Sequence, residues 1–545
     1  MENKKKPIQY DIIFVLGEKY FDHPFCGVAI LRRLLEKQGY SCAVIETPQN
    51  AQEIMKFGRP RLFFGVSSGS IDSMVRNYTA LNRPRKDDEF IKYEQKIPDR
   101  AVIVYCNWIR EKFKDSKIVI GGTEATLRRL THYDYWQNSL RKSILLDSRA
   151  DILSYGNSEK QILEIAERID SELPLTEIAG TCIKSRELPK EFEKTKFTEL
   201  PSHEDVSLSK EKFCDMQNLL SNYENLAQKT DNFYIIQYKS PEYTTEDLDE
   251  YYELPFSRKI KSPDLKRFQF GIVTHRGCIG NCNFCSLKLT MGNKIISRSE
   301  ESILKEIRYI TKLPHFQGII DDFGGPSANM YGLDFDKDLK KSHQRLIELL
   351  RRARQTPGVK RIFIHSGIRY DMATIEYLRE IAQHHISGKL KIAPEHVNEE
   401  VLRLMNKKSG NLDAFVREFN KIGCGQLTFY FMAAHPGSGM KEAKELAEKI
   451  KHLQYAESVQ IFTPTPMTVS TCMYYTGMDP VNKKKLYVPY TYAEKKEQKR
   501  ILDLETKRQN RINNPQKNFP RINKYRGKRV STNSYFVDKI RKNAP

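Results

Sequence analysis

Short apolar runs of strand length alternate with stretches of helical periodicity along most of the chain. Tyr10–Leu16 (YDIIFVL) reads as a buried strand, and Val28–Gln38 places its apolar residues at helical spacing. Cys42–Ile45, Leu62–Val66, Lys117–Ile120 and Ile152–Tyr155 predict further strands, with helices over Arg100–Phe113 and Ser158–Ile169. Such alternation predicts a doubly wound, Rossmann-like α/β domain over residues 1–185, with a parallel sheet covered on both faces. Ligands of such sheets bind at the carboxyl ends of the strands.

Residues 186–265 break the rhythm. They are rich in Glu, Lys, Ser and Pro and predict a connector, with one helix over Lys210–Gln228 and a lone strand at Phe233–Tyr238. The alternation resumes over 266–480. Strands are predicted at Phe268–Val273, Gly318–Ile320, Arg361–His365, Leu390–Ile392, Gln426–Ala433 and Ser458–Phe462, each but the last followed by helical periodicity. Six such repeats suit a partial (β/α)6 barrel, whose chemistry sits at the carboxyl ends of the strands. The polar and glycine-rich segments fall there: Asp321-Asp322-Phe323-Gly324-Gly325, Ser366-Gly367-Ile368-Arg369, Glu395-His396 and His435-Pro436-Gly437.

At 545 residues the chain is long enough for about two to four domains. It holds no apolar run of membrane-spanning length, and its first residues lack the apolar core of a signal peptide. The ten cysteines are mostly scattered, which fits a reducing compartment, so a cytoplasmic location without a membrane partner is expected. The net charge is +21, and residues 481–545 carry 19 Lys and Arg against 5 Asp and Glu. That basic C-terminal extension, with Phe519, Tyr525, Tyr535 and Phe536 among its cations, has the composition of a nucleic-acid-binding arm and also of an ordinary solvated tail.

The chemistry concentrates in Gly277-Cys-Ile-Gly-Asn-Cys-Asn-Phe-Cys285. Cys278, Cys282 and Cys285 are spaced C-x3-C-x2-C, so one loop aims all three sulfurs at one place. Three thiolates there suit an iron–sulfur cluster with one iron left open. The rival is a zinc site with His275 as fourth ligand, in a non-catalytic protein that binds nucleic acid.

The cysteine spacing, with aromatic Phe284 before the third cysteine, resembles the radical S-adenosylmethionine (SAM) superfamily. The segments GRPRLFFGVSSGSIDSMVRNYTA, IVIGGTEATLRRLTHYDYW, THRGCIGNCNFC, DDFGGPSANMYG and IHSGIRYDM resemble the YgiQ-type family within it, over nearly the full length. The resemblance implies a 4Fe-4S cluster on Cys278, Cys282 and Cys285, with SAM on the open iron and reductively cleaved to a 5′-deoxyadenosyl radical. It implies SAM contacts from Phe284, Gly324, Gly325, Ser366, Arg369 and Glu395, and an electron donor of the flavodoxin or ferredoxin type. The glutamate of the superfamily's G-G-E motif is replaced by Pro326, so Asp321, Asp322 or a backbone carbonyl must accept from the SAM amino group. Many family members carry a cysteine-rich insertion after GGPSANMYG; none is present here, which implies a single cluster.

The N-terminal region resembles the cobalamin-binding domains that precede many radical SAM domains. Those using a histidine lower ligand carry D-x-H-x-x-G, whereas His23 directly follows Asp22. That argues against base-off binding through His23 and leaves corrinoid binding as such open. The segment PEHVNEEVLRLMNKK resembles the methylthiotransferase branch, which with the basic tail implies RNA modification; a cobalamin-linked methyl transfer is the other implied activity.

Overall fold

The computed structural model describes residues 9–85, 96–188, 197–262, 265–408, 410–453 and 456–512. The N-terminal sheet runs through β1 (Ile12–Leu16), β2 (Cys42–Glu46), β3 (Phe63–Ser67), β4 (Lys117–Gly121), β5 (Ile152–Ser154), β6 (Thr181–Ser185), β7 (Thr198–Leu200), β8 (Leu226–Thr230) and β9 (Phe233–Gln237). The spatial order is β2-β1-β3-β4-β5-β6-β9-β8-β7. The first five are parallel, and β6 and β9 pair antiparallel to their neighbours. In β1, Ile13 and Val15 face the helix Ala101–Lys112, while Ile12, Phe14 and Leu16 face the helices Gly27–Lys37 and Glu159–Asp170. That two-residue period buries both faces of the strand.

The segment expected to be a connector therefore supplies three strands. The helix predicted over Lys210–Gln228 ends at Asn222, and Phe233–Gln237 is paired on both sides. The reason is a tight hairpin: Thr230 and Phe233 pair across Asp231, which takes φ +51°. Leu226 and Ala227 are fully buried as strand residues in the sheet.

The second unit is the open parallel barrel that the periodicity predicts. Its strands are β10 (Ile272–Val273), β11 (Ile319–Ile320) with β12 (Phe323–Gly324) as two pieces of one strand, β13 (Arg361–Ile362), β14 (Lys389–Glu395), β15 (Gln426–Ala433) and β16 (Ala456–Ile461). Parallel pairing joins β10 to β12, β11 to β13, and β14 to β15 to β16, with an Ile368–Ile392 bridge between the third and fourth repeats. Among the described residues, none joins β10 to β16, so the barrel stays open.

The start of the basic extension is part of this unit. The helix Tyr492–Ile512 lies along β16 and the helix Met440–Lys451. Leu502 is fully buried, Gln498 accepts from the Ala434 N–H and donates to the Ser438 carbonyl, and Lys499 donates to the Val459 carbonyl. Lys495 is buried between Tyr135 and Tyr474, where loss of solvent pulls its pKa down to about 8. These cations hold the fold together. The expected nucleic-acid arm at 513–545, with Phe519, Tyr525, Tyr535 and Phe536, lies outside the described residues. No described helix is long and apolar enough to cross a membrane.

Candidate active site

The cysteine loop leaves β10 through a short antiparallel pair, His275–Arg276 against Ile296–Ser297. Gly277 turns the chain with φ +81°, and the Cys278 N–H donates to the Gly292 carbonyl at 3.2 Å. The far side of the loop is clamped by the fourth repeat. The Asn283 N–H and side-chain amide donate to the carbonyls of Met405 and Leu404, and Asn406 donates to the Asn281 carbonyl. Thus the PEHVNEEVLRLMNKK segment braces the loop. Phe284 is part of that brace: its ring packs on the Val401–Leu402–Met405 cluster and stands edge-on to His435 at 6.4 Å.

Cys278, Cys282 and Cys285 are half-buried, whereas six of the remaining seven cysteines are buried. Burial raises the pKa of Cys282, and it pushes that of Cys285 up to about 11; the neighbouring loop thiols and Glu395 add to both. The three sulfurs and the Glu395 carboxylate therefore share one electrostatic neighbourhood. Glu395 sits on a bulge at the end of β14, with φ +69°, and desolvation lifts its pKa to about 7 against the pull of Lys407. Arg369 also faces the loop, its Nη1 standing 3.9 Å from Cys282 Sγ.

Gly324 and Gly325 form a wall at the end of β12, and both are small for a reason. A Cβ on Gly325 would come within 2.6–2.8 Å of the His275 ring and carbonyl oxygen; one on Gly324 would crowd Ser366 Oγ and Ala328. Ser366 donates its hydroxyl to Asp322, which also accepts from the N–H groups of His365 and Ser366. A carboxylate offers about four lone-pair sites, so Asp322 keeps one unshared among the described residues. Asp321 is half-buried, and burial raises its pKa to about 6 with help from Asp322.

A cavity of about 570 Å³ joins this wall to the N-terminal sheet. Asp322, Gly324, Gly325, Ser366 and His275 line one side; residues of the strand-end segments, among them Ser67, Gly69, Gly122, Ser154 and Gly156, line the other. The latter end or follow β3, β4 and β5, at the carboxyl ends of the strands, where open α/β sheets bind ligands. Arg276 crosses between the units to Glu159 at 2.7 Å and to the Tyr252 hydroxyl at 3.1 Å, all buried.

The histidines separate by role. His23 is fully buried, donating to the Gln269 carbonyl and accepting from the Phe25 N–H, each at 3.0 Å. Both ring nitrogens are used. His435 is held between the Pro436 carbonyl and Ser470, and His396 accepts from the Asn398 N–H. His275, the expected zinc ligand of the rival reading, pairs Nδ1 with Thr274 Oγ1 at 2.9 Å and turns its other edge to Gly325. Two structural partners were missed in the sequence: Asp371, which grips Arg369, and Asn329, which holds the Arg369 backbone. The R-Y-D spacing was the available signal for the first; nothing local marks the second.

This architecture is that of a radical SAM enzyme. The family described as Radical SAM N-terminal matches residues 1–268, the Radical SAM superfamily 272–450, and a domain of unknown function (DUF3362) 457–511. Membership implies a 4Fe-4S cluster and SAM as cofactors and the need for a reductant. The UPF0313 protein MJ1155 of Methanocaldococcus jannaschii is 41% identical over 537 residues, covering 90% of this chain and 89% of that protein. A UPF0313 protein of Clostridium botulinum (strain Okra) is 40% identical, covering 92% of this chain and 85% of that one. The chain belongs to the UPF0313, YgiQ-type family. In fold it is similar to the radical SAM methyltransferase TsrM of Kitasatospora setae, solved with tryptophan and a SAM analogue (TM-score 0.52, 13% identity, 85% of this chain and 76% of that one). It is also similar to the cobalamin-dependent SAM radical enzyme OxsB (TM-score 0.51, 13% identity, 85% and 55%).

Proposed function

We propose that Cys278, Cys282 and Cys285 hold a single 4Fe-4S cluster, and that SAM lies between it and the Gly324–Gly325 wall. The observation that carries this reading is the set of three half-buried thiols on one braced loop, beside Arg369 and Glu395. The donor set fits. In a four-iron cluster each thiolate binds a different iron, so the sulfurs stand apart, whereas zinc needs its ligands around one atom at about 2.3 Å from each sulfur. Among the described residues no three His, Cys, Asp or Glu side chains converge that closely. His275 pairs Nδ1 with Thr274, and its Nε2, which has no hydrogen-bond partner among the described residues, stands by Gly325.

When bound, cluster and SAM supply one-electron cleavage of the sulfonium to a 5′-deoxyadenosyl radical. The chain positions and shields that chemistry. Asp322, with its remaining lone pair, accepts from the SAM ammonium in place of the missing glutamate. Gly324 and Gly325 let the ligand lie against the strand end, with Ser366 fixing Asp322. Glu395 and Arg369 flank the cluster side, and Phe284 acts through the loop it braces. The electron comes from a flavodoxin- or ferredoxin-type donor.

The test is anaerobic reconstitution of the full chain with iron and sulfide, followed by SAM and dithionite. About four irons per chain and release of 5′-deoxyadenosine are expected, and neither from the triple Cys→Ala variant. About eight irons would refute the single cluster, and one tight zinc would refute the class of site.

The cavity favours a second component, a corrinoid at the strand ends of the N-terminal sheet. Its strand-end loops are cut close: a Cβ on Gly122 would overlap Ser67 Oγ, and one on Gly69 the Glu18 side chain. His23 does not fit as lower ligand, since both ring nitrogens are occupied. A corrinoid bound here would take no ligand from His23. Binding of hydroxocobalamin with a spectrum unchanged in His23→Ala is expected; no retention by the full chain would refute the corrinoid.

RNA as substrate draws on the basic extension, and its support narrows to residues 513–545, which carry 9 Lys and Arg against 1 Asp. Salt-sensitive binding of bulk tRNA, lost on removing those residues, is the expected result.

A further inference from the structure

We propose that Arg369 tunes the reduction potential of the metal centre by donating an N–H to the sulfur of Cys282. This rests on the cluster assignment above. It gives Arg369 a role distinct from the SAM contact that the superfamily resemblance implies.

The guanidinium is fixed in orientation. Nε donates to Asp371 Oδ1 at 3.0 Å and Nη2 to Asp371 Oδ2 at 2.6 Å, a planar fork that leaves Nη1 on the far edge. Nη1 is the nitrogen 3.9 Å from Cys282 Sγ, at the long end of a nitrogen–sulfur hydrogen bond. The ion pair is sheltered, with Arg369 and Asp371 side chains 10% and 4% exposed. The backbone is held as firmly. The Arg369 N–H donates to Asn329 Oδ1 at 2.9 Å, and the Asn329 amide donates to the carbonyls of Arg369 and Met372. Asn329 is fully buried, and its own carbonyl oxygen lies 3.1 Å from His343 Nε2.

The loop is shaped to admit this contact. A Cβ on Gly280 would overlap Nη1 and stand 3.3 Å from Cys278 Sγ. Gly280 is not in the left-handed region, so its lack of a side chain serves space rather than backbone conformation.

The electrostatics set the sign. Reduction adds one negative charge to the cluster and its thiolates. The Arg369–Asp371 pair is a dipole whose positive end is nearer the sulfur, and a directed N–H favours the more electron-rich state. Arg369 therefore raises the potential and eases entry of the electron.

The experiment is a redox titration of the reconstituted full chain without SAM, followed by electron paramagnetic resonance. It uses wild type, Arg369→Gln, Arg369→Lys and Gly280→Ala. Arg369→Gln is expected to lower the equilibrium constant for reduction about tenfold, about 59 mV for a one-electron couple. Arg369→Lys, which keeps the charge without the fork, recovers part of the shift. Gly280→Ala, which keeps every charge and displaces Nη1, shifts the potential the same way by less. A wild-type potential in Arg369→Gln at full iron content overturns the proposal, and weaker SAM binding alone in that variant does so as well. If Arg369→Gln takes up no iron, Gly280→Ala decides: an unshifted potential there overturns it. A wild-type chain that assembles no cluster sinks the underlying assignment instead.

Discussion

Gly277→Ala is the sharpest test of how the cysteine loop is built, because the same hairpin supplies its control. Gly277 has φ +81° and Gly292 φ +87°. A Cβ on Gly277 would overlap the Lys294 carbonyl oxygen, whereas one on Gly292 meets nothing within 4 Å. Either alanine carries positive-φ strain of about 1–3 kcal/mol. At Gly277 a backbone carbonyl must also move. Its neighbours resist, since Ile295 is buried and Ile296–Ser297 pairs with His275–Arg276. Overpacking of that kind adds about 1–3 kcal/mol. The gap between the variants is thus about 5- to 140-fold in the population of the native loop. The assay is iron retained per chain after anaerobic reconstitution and desalting, with circular dichroism to check the fold. Gly292→Ala should retain nearly wild-type iron and Gly277→Ala a small fraction of it. Equal iron in the two variants would refute the steric argument, since both carry positive-φ strain and only Gly277→Ala adds the overlap.

Two further outcomes follow from buried charge. Arg276→Met removes the ion-pair partner of Glu159, and both side chains are under a tenth exposed. Breaking one half of such a pair costs about 3–5 kcal/mol. The Glu159→Gln/Arg276→Met double variant should recover most of the fall in thermal midpoint, and a double variant no better than Arg276→Met would count against the pair. For Asp321, burial holds the folded pKa near 6 while the unfolded group ionises near its ordinary value of about 3.9. The folded state then binds more protons between those values, so this group lowers stability as pH rises from about 4 to about 6. Asp321→Asn should flatten that part of the curve of thermal midpoint against pH; matching slopes in variant and wild type would discount the effect.

What was legible in the sequence is what short-range pattern can encode. The unbroken apolar run Ile12–Leu16 and the repeated strand–helix spacing after Ile272 are local, and they specify an α/β fold with strand-end loops. The C-x3-C-x2-C loop is local too, because eight consecutive residues carry all three thiols. The sequence misled where long-range pairing overrode local periodicity. Gln217 and Leu226 both suit a helix, yet only the first is in one, because β9 and β7 flank Leu226. The charge-rich stretch after Tyr492 looks solvated in one dimension, but Gln498 and Lys499 reach unpaired backbone groups on β15, β16 and their loops.

Tertiary structure alone decided the site's second layer. That Asp371 aims Arg369 at Cys282, that Gly280 leaves room for it, and that Gly325 yields to His275 are contacts between residues far apart in the chain. Hydrogen bonds and steric limits act over a few ångströms of space, whatever the separation in sequence. A chain met as letters can therefore declare its ligands, and only its folding says what holds and tunes them.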